Sequence, residues 1–135
     1  MAVQFSVTVR NARLDAIETA VGTSPILRIR TGAAPANCAA ADAGTVLAEL
    51  TLPSDWAAAA SGGAKAKSGT WEDLSANATG TAAHWRLYDS TGTTCHAQGT
   101  CGAAGSGADL ELSTTSVTAG DVFSVTSWVF TEGNA

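Results

Sequence analysis

The feature that most limits how this chain can fold is its punctuation. Turn-forming residues recur along its whole length: Ser24 with Pro25, Pro35, Pro53, Gly62 with Gly63, the stretch 75–80, the stretch 89–92, the stretch 102–107 and the stretch 118–121. Such residues interrupt regular structure because they supply unusual backbone angles, lack an amide donor or bond their own backbone. Between them there is room only for short segments, at 26–30, 45–52, 64–73, 81–88, 93–100, 108–113 and 122–131. These segments carry the Val, Ile, Thr, Trp and Phe content that suits a pleated surface. Short strands with breaks every eight to twelve residues or so predict an all-β fold, an antiparallel β-sandwich or jelly roll. No longer period repeats, which argues against a solenoid or propeller.

The N-terminal segment reads differently. Residues 3–9 alternate, with Val3, Phe5, Val7 and Val9 against Gln4, Ser6 and Thr8, which predicts a half-buried strand. From Asn11 the period becomes helical. Asn11 is a capping residue, Leu14, Ile17 and Val21 recur on one stripe, and Gly22 is a stop signal. The spacing predicts a helix over 11–21, with a start near Ser6 as the other option. The expected organisation is an N-terminal arm and helix over 1–22 and a β body over 23–135, one domain in all. Trp56 and the four alanines after it are read as one or two helical turns.

Composition narrows the chemistry. Of 135 residues, 28 are Ala, 18 Thr, 14 Gly and 12 Ser, so more than half of the side chains are small, and only 14% are charged. The net charge of −5 disfavours adhesion to nucleic acid or to anionic lipid, which rests on clustered cations. Arg10, Arg13, Arg28 and Arg30 make residues 1–30 net positive on a negative remainder, a distribution that would orient the protein against an acidic surface. No run approaches the roughly 20 apolar residues needed to span a bilayer. The first ten residues lack the pattern of a secretory signal, so the expectation is a soluble chain made in the cytosol. Free thiols are then the default for Cys38, Cys95 and Cys101, with a Cys95–Cys101 bridge possible in an oxidising medium.

Reactive constellations are sparse. Cys95, His96, Cys101 and His84 are zinc-type ligands, but the spacing is not that of a metal knuckle, and neighbours on a strand point to opposite faces. Ser106 lies between glycines without the strand–turn–helix setting of a nucleophile elbow. Glu72 and Asp73 are adjacent and face apart, while Asp109 and Glu111 share a face and read as a cation-binding pair or, more often, a solvated edge. No catalytic residue, no metal and no cofactor is expected. Among the four tryptophans, Trp85 and Trp128 are assigned to the core, where large rings fill what small side chains cannot. Trp56 is expected to be exposed or at an interface. Lys65 and Lys67 are read as a solvated edge. The sequon Asn77-Ala78-Thr79 carries no meaning without secretion.

Four stretches, 11–22, 27–38, 52–56 and 84–89 (the last reading His84-Trp85-Arg86-Leu87-Tyr88-Asp89), together resemble small virion structural proteins of tailed bacteriophages. The resemblance spans nearly the whole chain. It implies a capsid cement or decoration protein with a jelly-roll body, made in the host bacterial cytoplasm and placed on the capsid surface of the virion. The implied partners are the phage major capsid protein and further copies of the chain, as a dimer or trimer, with no nucleic acid or membrane involved. It carries over no catalytic motif. On this reading the partner-binding residues are Phe5, Leu14, Ile17 and Val21 as apolar contacts, Arg10 and Arg13 for orientation, and Trp56. The alternative is a host-recognition or carbohydrate-binding module on a phage fibre or head, with exposed tryptophans as a sugar-stacking platform.

Overall fold

The computed structural model of the chain describes residues 3–134, so the first two residues of the expected arm lie outside the described residues. One helix, α1 (Val7–Val21), precedes eleven strands. These are β1 (Ile26–Arg30), β2 (Val46–Thr51), β3 (Ala64–Ala66), β4 (Trp71–Asp73), β5 (Gly80–Thr81), β6 (His84–Tyr88), β7 (Cys95–Ala103), β8 (Leu110–Leu112), β9 (Ser116–Val117), β10 (Phe123–Val125) and β11 (Val129–Thr131). The chain is therefore mainly β with one helix, as its punctuation predicts.

Five strands form the largest sheet, in the order β2-β1-β6-β7-β8. The β2–β1, β1–β6 and β6–β7 pairs are antiparallel, but β7 and β8 run parallel, against the expectation of a purely antiparallel fold. Tight turns cannot join parallel neighbours, so residues 104–109 cross back over the strand end. The β6–β7 hairpin turns at 89–94 as expected. The Asp89 carboxylate accepts from Thr91 Oγ1 at 2.7 Å and Thr93 N at 3.1 Å, and these bonds hold its pKa down to about 2.

The expected strands over 64–73 and 122–131 each exist as two pieces. β3 pairs with β11 and β4 pairs with β10, so the four pieces form one antiparallel ribbon with a break in both strands at the same level. Gly69, at φ +71°, makes the break in the first strand. There the backbone passes against Pro53, and a Cβ on Gly69 would stand 2.8 Å from the proline ring. The helical turns expected after Trp56 do not form. Ala57 bridges to Lys67 and Ser61 to Ala64, and Gly62 and Gly63, both at positive φ, make the tight turn between them. Two successive left-handed glycines suit a type I′ hairpin turn, which is why this pair closes a hairpin here instead of ending a helix.

All four tryptophans lie inside. Trp128 is the hub, with ring centroids 4.7 Å from Trp71, 4.5 Å from Trp85 and 5.1 Å from Phe130. Trp56 completes the row, 6.1 Å from Trp71. Trp85 comes from the large sheet, whereas Trp71 and Trp128 come from the ribbon, so this cluster is where the two join. Leu27, Ile29, Leu47, Leu50 and Leu87 pack around it with no exposed surface. The assignment of Trp85 and Trp128 to the core holds. Trp56 does not reach the surface: its exposure is 0%, and its indole Nε1 donates to the Gly22 carbonyl at 3.0 Å.

Helix α1 begins where the second option placed it. Ser6 is the cap, its Oγ accepting from Val9 N at 3.3 Å, and Gly22 closes the helix in a positive-φ conformation. The strand predicted over 3–9 is thus replaced from Val7 onward by helix. An isolated helix of this length is marginal in water, so docking decides the outcome. Leu14 and Val21 are buried in the chain's own interior, and Ile17 packs partly against it. Asn11 is not the cap but lies within the helix, where its Oδ1 accepts from Gly63 N at 2.9 Å.

Lys65 fixes the helix to β3. Its ammonium group lies 2.8 Å from Asp15 and 2.8 Å from Glu18, one helical turn apart, and donates to the Ala58 carbonyl at 2.8 Å. The side chain is fully buried, which corrects the expectation that it lies on a solvated edge. Burial opposes its charge, but the two carboxylates outweigh burial and raise its pKa above the ordinary lysine value. Lys67 lies over the Trp71 ring at 5.7 Å and donates to the Gly69 carbonyl at 2.6 Å.

Two substitutions probe this architecture. Trp128→Ala removes the hub and is expected to destabilise the fold by about 3–5 kcal/mol, read as a lower urea midpoint. Lys65→Ala strips a buried stem and leaves the Ala58 carbonyl without its donor. It is expected to cost about 2–3 kcal/mol, with loss of α1 seen as reduced helical circular dichroism before global unfolding.

Candidate interaction surface

The large sheet has one apolar face and one polar face, and both are covered. Leu27 and Ile29 on β1 and Trp85 and Leu87 on β6 point into the core. Arg28 and Arg30 on β1 and His84, Arg86 and Tyr88 on β6 therefore point the other way. Direct register sets Arg28 opposite Arg86, a like-charge pairing that costs stability unless acids intervene. Glu49 on β2 takes Arg28 at 2.8 Å, and Asp42 takes both Arg30, at 3.1 Å, and Arg86.

Asp42 belongs to the alanine-rich loop over 31–45, which lies across this polar face. The loop contributes mostly backbone oxygen. Arg86 Nη2 donates to the carbonyls of Asn37, Cys38 and Ala40 at 3.2, 2.9 and 3.2 Å. Arg30 Nη1 reaches Gly44 O at 3.4 Å, His84 Nδ1 donates to Gly32 O at 2.7 Å, and Gln98 Nε2 donates to Pro35 O at 2.6 Å. Tyr88 Oη donates to Asp42. Burial opposes the charge on Asp42, yet the bonds from Tyr88 and Arg86 dominate and hold its carboxyl below the ordinary aspartate value. Small side chains let the loop backbone come this close. At Gly44, φ +73°, a Cβ would meet the Thr31 carbonyl at 2.0 Å.

Cys38 on this loop and Cys95 on β7 lie on the same side of the large sheet: Arg86 holds the Cys38 carbonyl at 2.9 Å, and Cys95 stands opposite Tyr88, two residues further along β6. Burial, followed by the Cys38 thiol, pushes the Cys95 thiol up to about 11. Cys101 is elsewhere, packed against the core, where burial pushes it up to about 12. Cys95 and Cys101 stand on one extended strand, six residues apart. That puts their α-carbons roughly 20 Å apart, against a limit of about 7 Å for a disulfide, so the Cys95–Cys101 bridge considered for an oxidising medium cannot form. Among the described residues, no three Cys, His, Asp or Glu side chains converge as metal ligands. Asp109 and Glu111 are occupied by backbone. Asp109 Oδ2 accepts from Thr100 N at 2.9 Å, and Glu111 accepts from Gly105 N and Gly107 N at 2.8 and 3.2 Å, fixing the tip that holds Ser106.

The residues expected to meet a partner are mostly used within the chain. Leu14, Val21 and Trp56 are buried, which corrects their reading as an outward surface. Arg13 pairs with Glu132 at 3.0 Å and lies 5.1 Å over the Phe5 ring, while Arg10 Nη1 approaches the Glu132 carbonyl at 3.4 Å. Of the four N-terminal arginines, Arg13, Arg28 and Arg30 thus face a carboxylate within the chain, and Arg10 faces a carbonyl.

The open surface lies on the other side of the chain. Among the described residues, β11 pairs only with β3, and the first part of β7 pairs only with β6. A groove of about 330 Å³ runs between these two free edges, lined by Ala97, Gln98, Trp85, Trp128, Val129 and Thr131. A second hollow of about 460 Å³ continues it past Asp109 and Leu112. Val129 on its wall is 50% exposed. The indole Nε1 of Trp85 is buried and has no partner among the described residues. Gly99 leaves room for this ring, since a Cβ there would stand 2.8 Å from Trp85 Cζ2. At the far end of the ribbon, Leu74 and Val122 extend the β4–β10 ladder by one step and are 71% and 60% exposed. The sequence signal for this surface is the last strand, whose two faces are both partly apolar, with Val122 and Trp128 on one and Phe123, Val125 and Val129 on the other, but the groove itself has no sequence pattern.

No protein-family model, curated protein or solved structure matches the chain. Among the described residues, no helix is long and apolar enough to cross a membrane.

The loop over the polar face has an acid signature. Asp42 and Asp89 both have lowered pKa values, so the stability they confer is complete above the ordinary aspartate range. It is lost as pH falls through their folded values, to about 2 for Asp89. Asp42→Asn is expected to flatten the fall of the urea midpoint as pH drops below the ordinary aspartate range, and to speed proteolytic cleavage within 32–44 at neutral pH.

Proposed function

We propose that this protein is a structural virion component that binds and stabilises a bacteriophage capsid shell, as a cement or decoration protein. The observation that supports this reading best is the groove between β7 and β11. It offers two unpaired strand edges, an apolar floor and a buried indole donor without an acceptor. An extended segment of a neighbouring shell subunit fits these requirements. Its main chain would pair with the free edges, and one of its carbonyls would accept from Trp85 Nε1. Val129 on the groove wall, and Leu74 and Val122 at the far end of the ribbon, are exposed apolar side chains that a partner would cover. Such binding uses shape and main-chain bonding and calls for no cofactor. Repetition over a symmetric shell multiplies a modest contact into firm attachment.

The finer architecture belongs to the same proposal. The antiparallel ladders and the single core between sheet and ribbon suit a sandwich or jelly-roll body, with the parallel β7–β8 pair as a local departure. The alternative, a carbohydrate-binding module, needs exposed rings. All four indoles here are at most 3% exposed, so no specific observation favours it.

The test is co-sedimentation with shells assembled from the major capsid protein. The unmodified chain is expected to pellet with them. The double variant Val122→Asp, Val129→Arg is expected to bind at least about tenfold more weakly while its urea midpoint stays near that of the parent. Undiminished binding by that variant, or no binding by the parent, would overturn the proposal.

A further inference from the structure

We propose that Cys38 and Cys95 form an intramolecular disulfide when the chain meets an oxidising medium, fastening the 31–45 loop to the start of β7. This inference stands apart from the capsid reading, since it rests on the polar face and not on the groove.

The loop that carries Cys38 is held at several points against the strands beside Cys95. Asn37 begins a tight turn in which its Oδ1 accepts from Ala39 N and Ala40 N, both at 3.0 Å, so the backbone around Cys38 is ordered. The Cys38 carbonyl is held at 2.9 Å by Arg86, whose side chain rises from β6. Two residues along that strand, Tyr88 stands directly opposite Cys95 in the β6–β7 register. Arg86 and Tyr88 both bond Asp42, which closes the far end of the same loop. The loop is therefore tied down around Cys38 on the face where Cys95 stands beside Tyr88, and Cys38 is near enough to raise the Cys95 pKa. Both cysteines are free and neither is fully buried, so a small oxidant can reach them. Cys101, on the opposite face of β7, has no second thiol beside it.

Closure is an ordinary exchange. One cysteine sulfur attacks a low-molecular-weight disulfide such as oxidised glutathione, forming a mixed disulfide and releasing one glutathione thiol. The second cysteine sulfur then displaces the other glutathione. The protein loses two electrons and two protons, and the oxidant becomes two thiols. The crosslink encloses roughly 55–60 residues, a loop long enough to restrict the unfolded chain substantially.

The experiment exposes the purified full chain to oxidised glutathione and reads intact mass, peptide linkage and melting temperature. The expected result is loss of two hydrogens, a Cys38–Cys95 linked peptide and a melting temperature higher by roughly 10 °C, all reversed by dithiothreitol. Cys101→Ser is expected to leave this unchanged, whereas Cys38→Ser is expected to abolish it. Stable glutathione adducts without closure, a linkage involving Cys101, thiols that stay free, or an unchanged melting temperature after closure would each overturn the proposal.

Discussion

The interior of this protein depends on packing indole against indole. A chain dominated by alanine, threonine, glycine and serine cannot reach native density with aliphatic contacts alone. Here a few rings occupy the volume that many leucines would fill in another protein. Because they meet edge to face, they also fix the angle at which sheet and ribbon approach. The rest follows from that junction. With Trp128 at the hub, β10 and β11 must lie on either side of it, and the break in the ribbon lets one strand serve both ladders.

The second organising element is polar. A sheet that buries both faces normally does so with apolar residues. This one places arginines on its outer face and covers them with a loop of small residues. The loop supplies carbonyl oxygens and a single carboxylate. Alanine and glycine suit that task because the acceptor is the backbone, and a bulky side chain would hold it away. The low charge of the whole chain is consistent with this economy. Most of its few ions face an opposite charge or a carbonyl within the fold.

The strands were largely legible because their signals are local. Residues 26–30 appear as β1 without change, and the turn at 89–92 closes the expected hairpin. What escaped the sequence was decided by distant partners. Residues 3–9 alternate like a strand, yet Ser6 caps a helix there because Lys65, far along the chain, receives Asp15 and Glu18. Gly62 and Gly63 look equally like a helix stop or a hairpin turn, and only pairing across them distinguishes the two. Trp56 looked exposed because its neighbours are alanines, but an indole needs space more than company of its own kind. The polar face was half visible: the alternation of Arg28 with Arg30 and of His84 with Arg86 was readable, but the loop that meets them has no pattern beyond smallness. The groove edges were invisible, since an unpaired strand has the same composition as a paired one.

The central pairing of the large sheet joins β1 to β6, elements separated by more than fifty residues, and β2 must then settle on the other edge of β1. Nothing local rewards the chain for bringing β1 and β6 together. The entropy of closing that long loop is spent before any ladder bond returns it. Assembly of such a sheet belongs on the millisecond-to-second scale, and until it finishes β1 waits with both edges bare. Arginines at alternate positions of that strand give it mutual repulsion between copies during the wait, so the charges that the finished loop covers also keep newly made chains from sticking to one another.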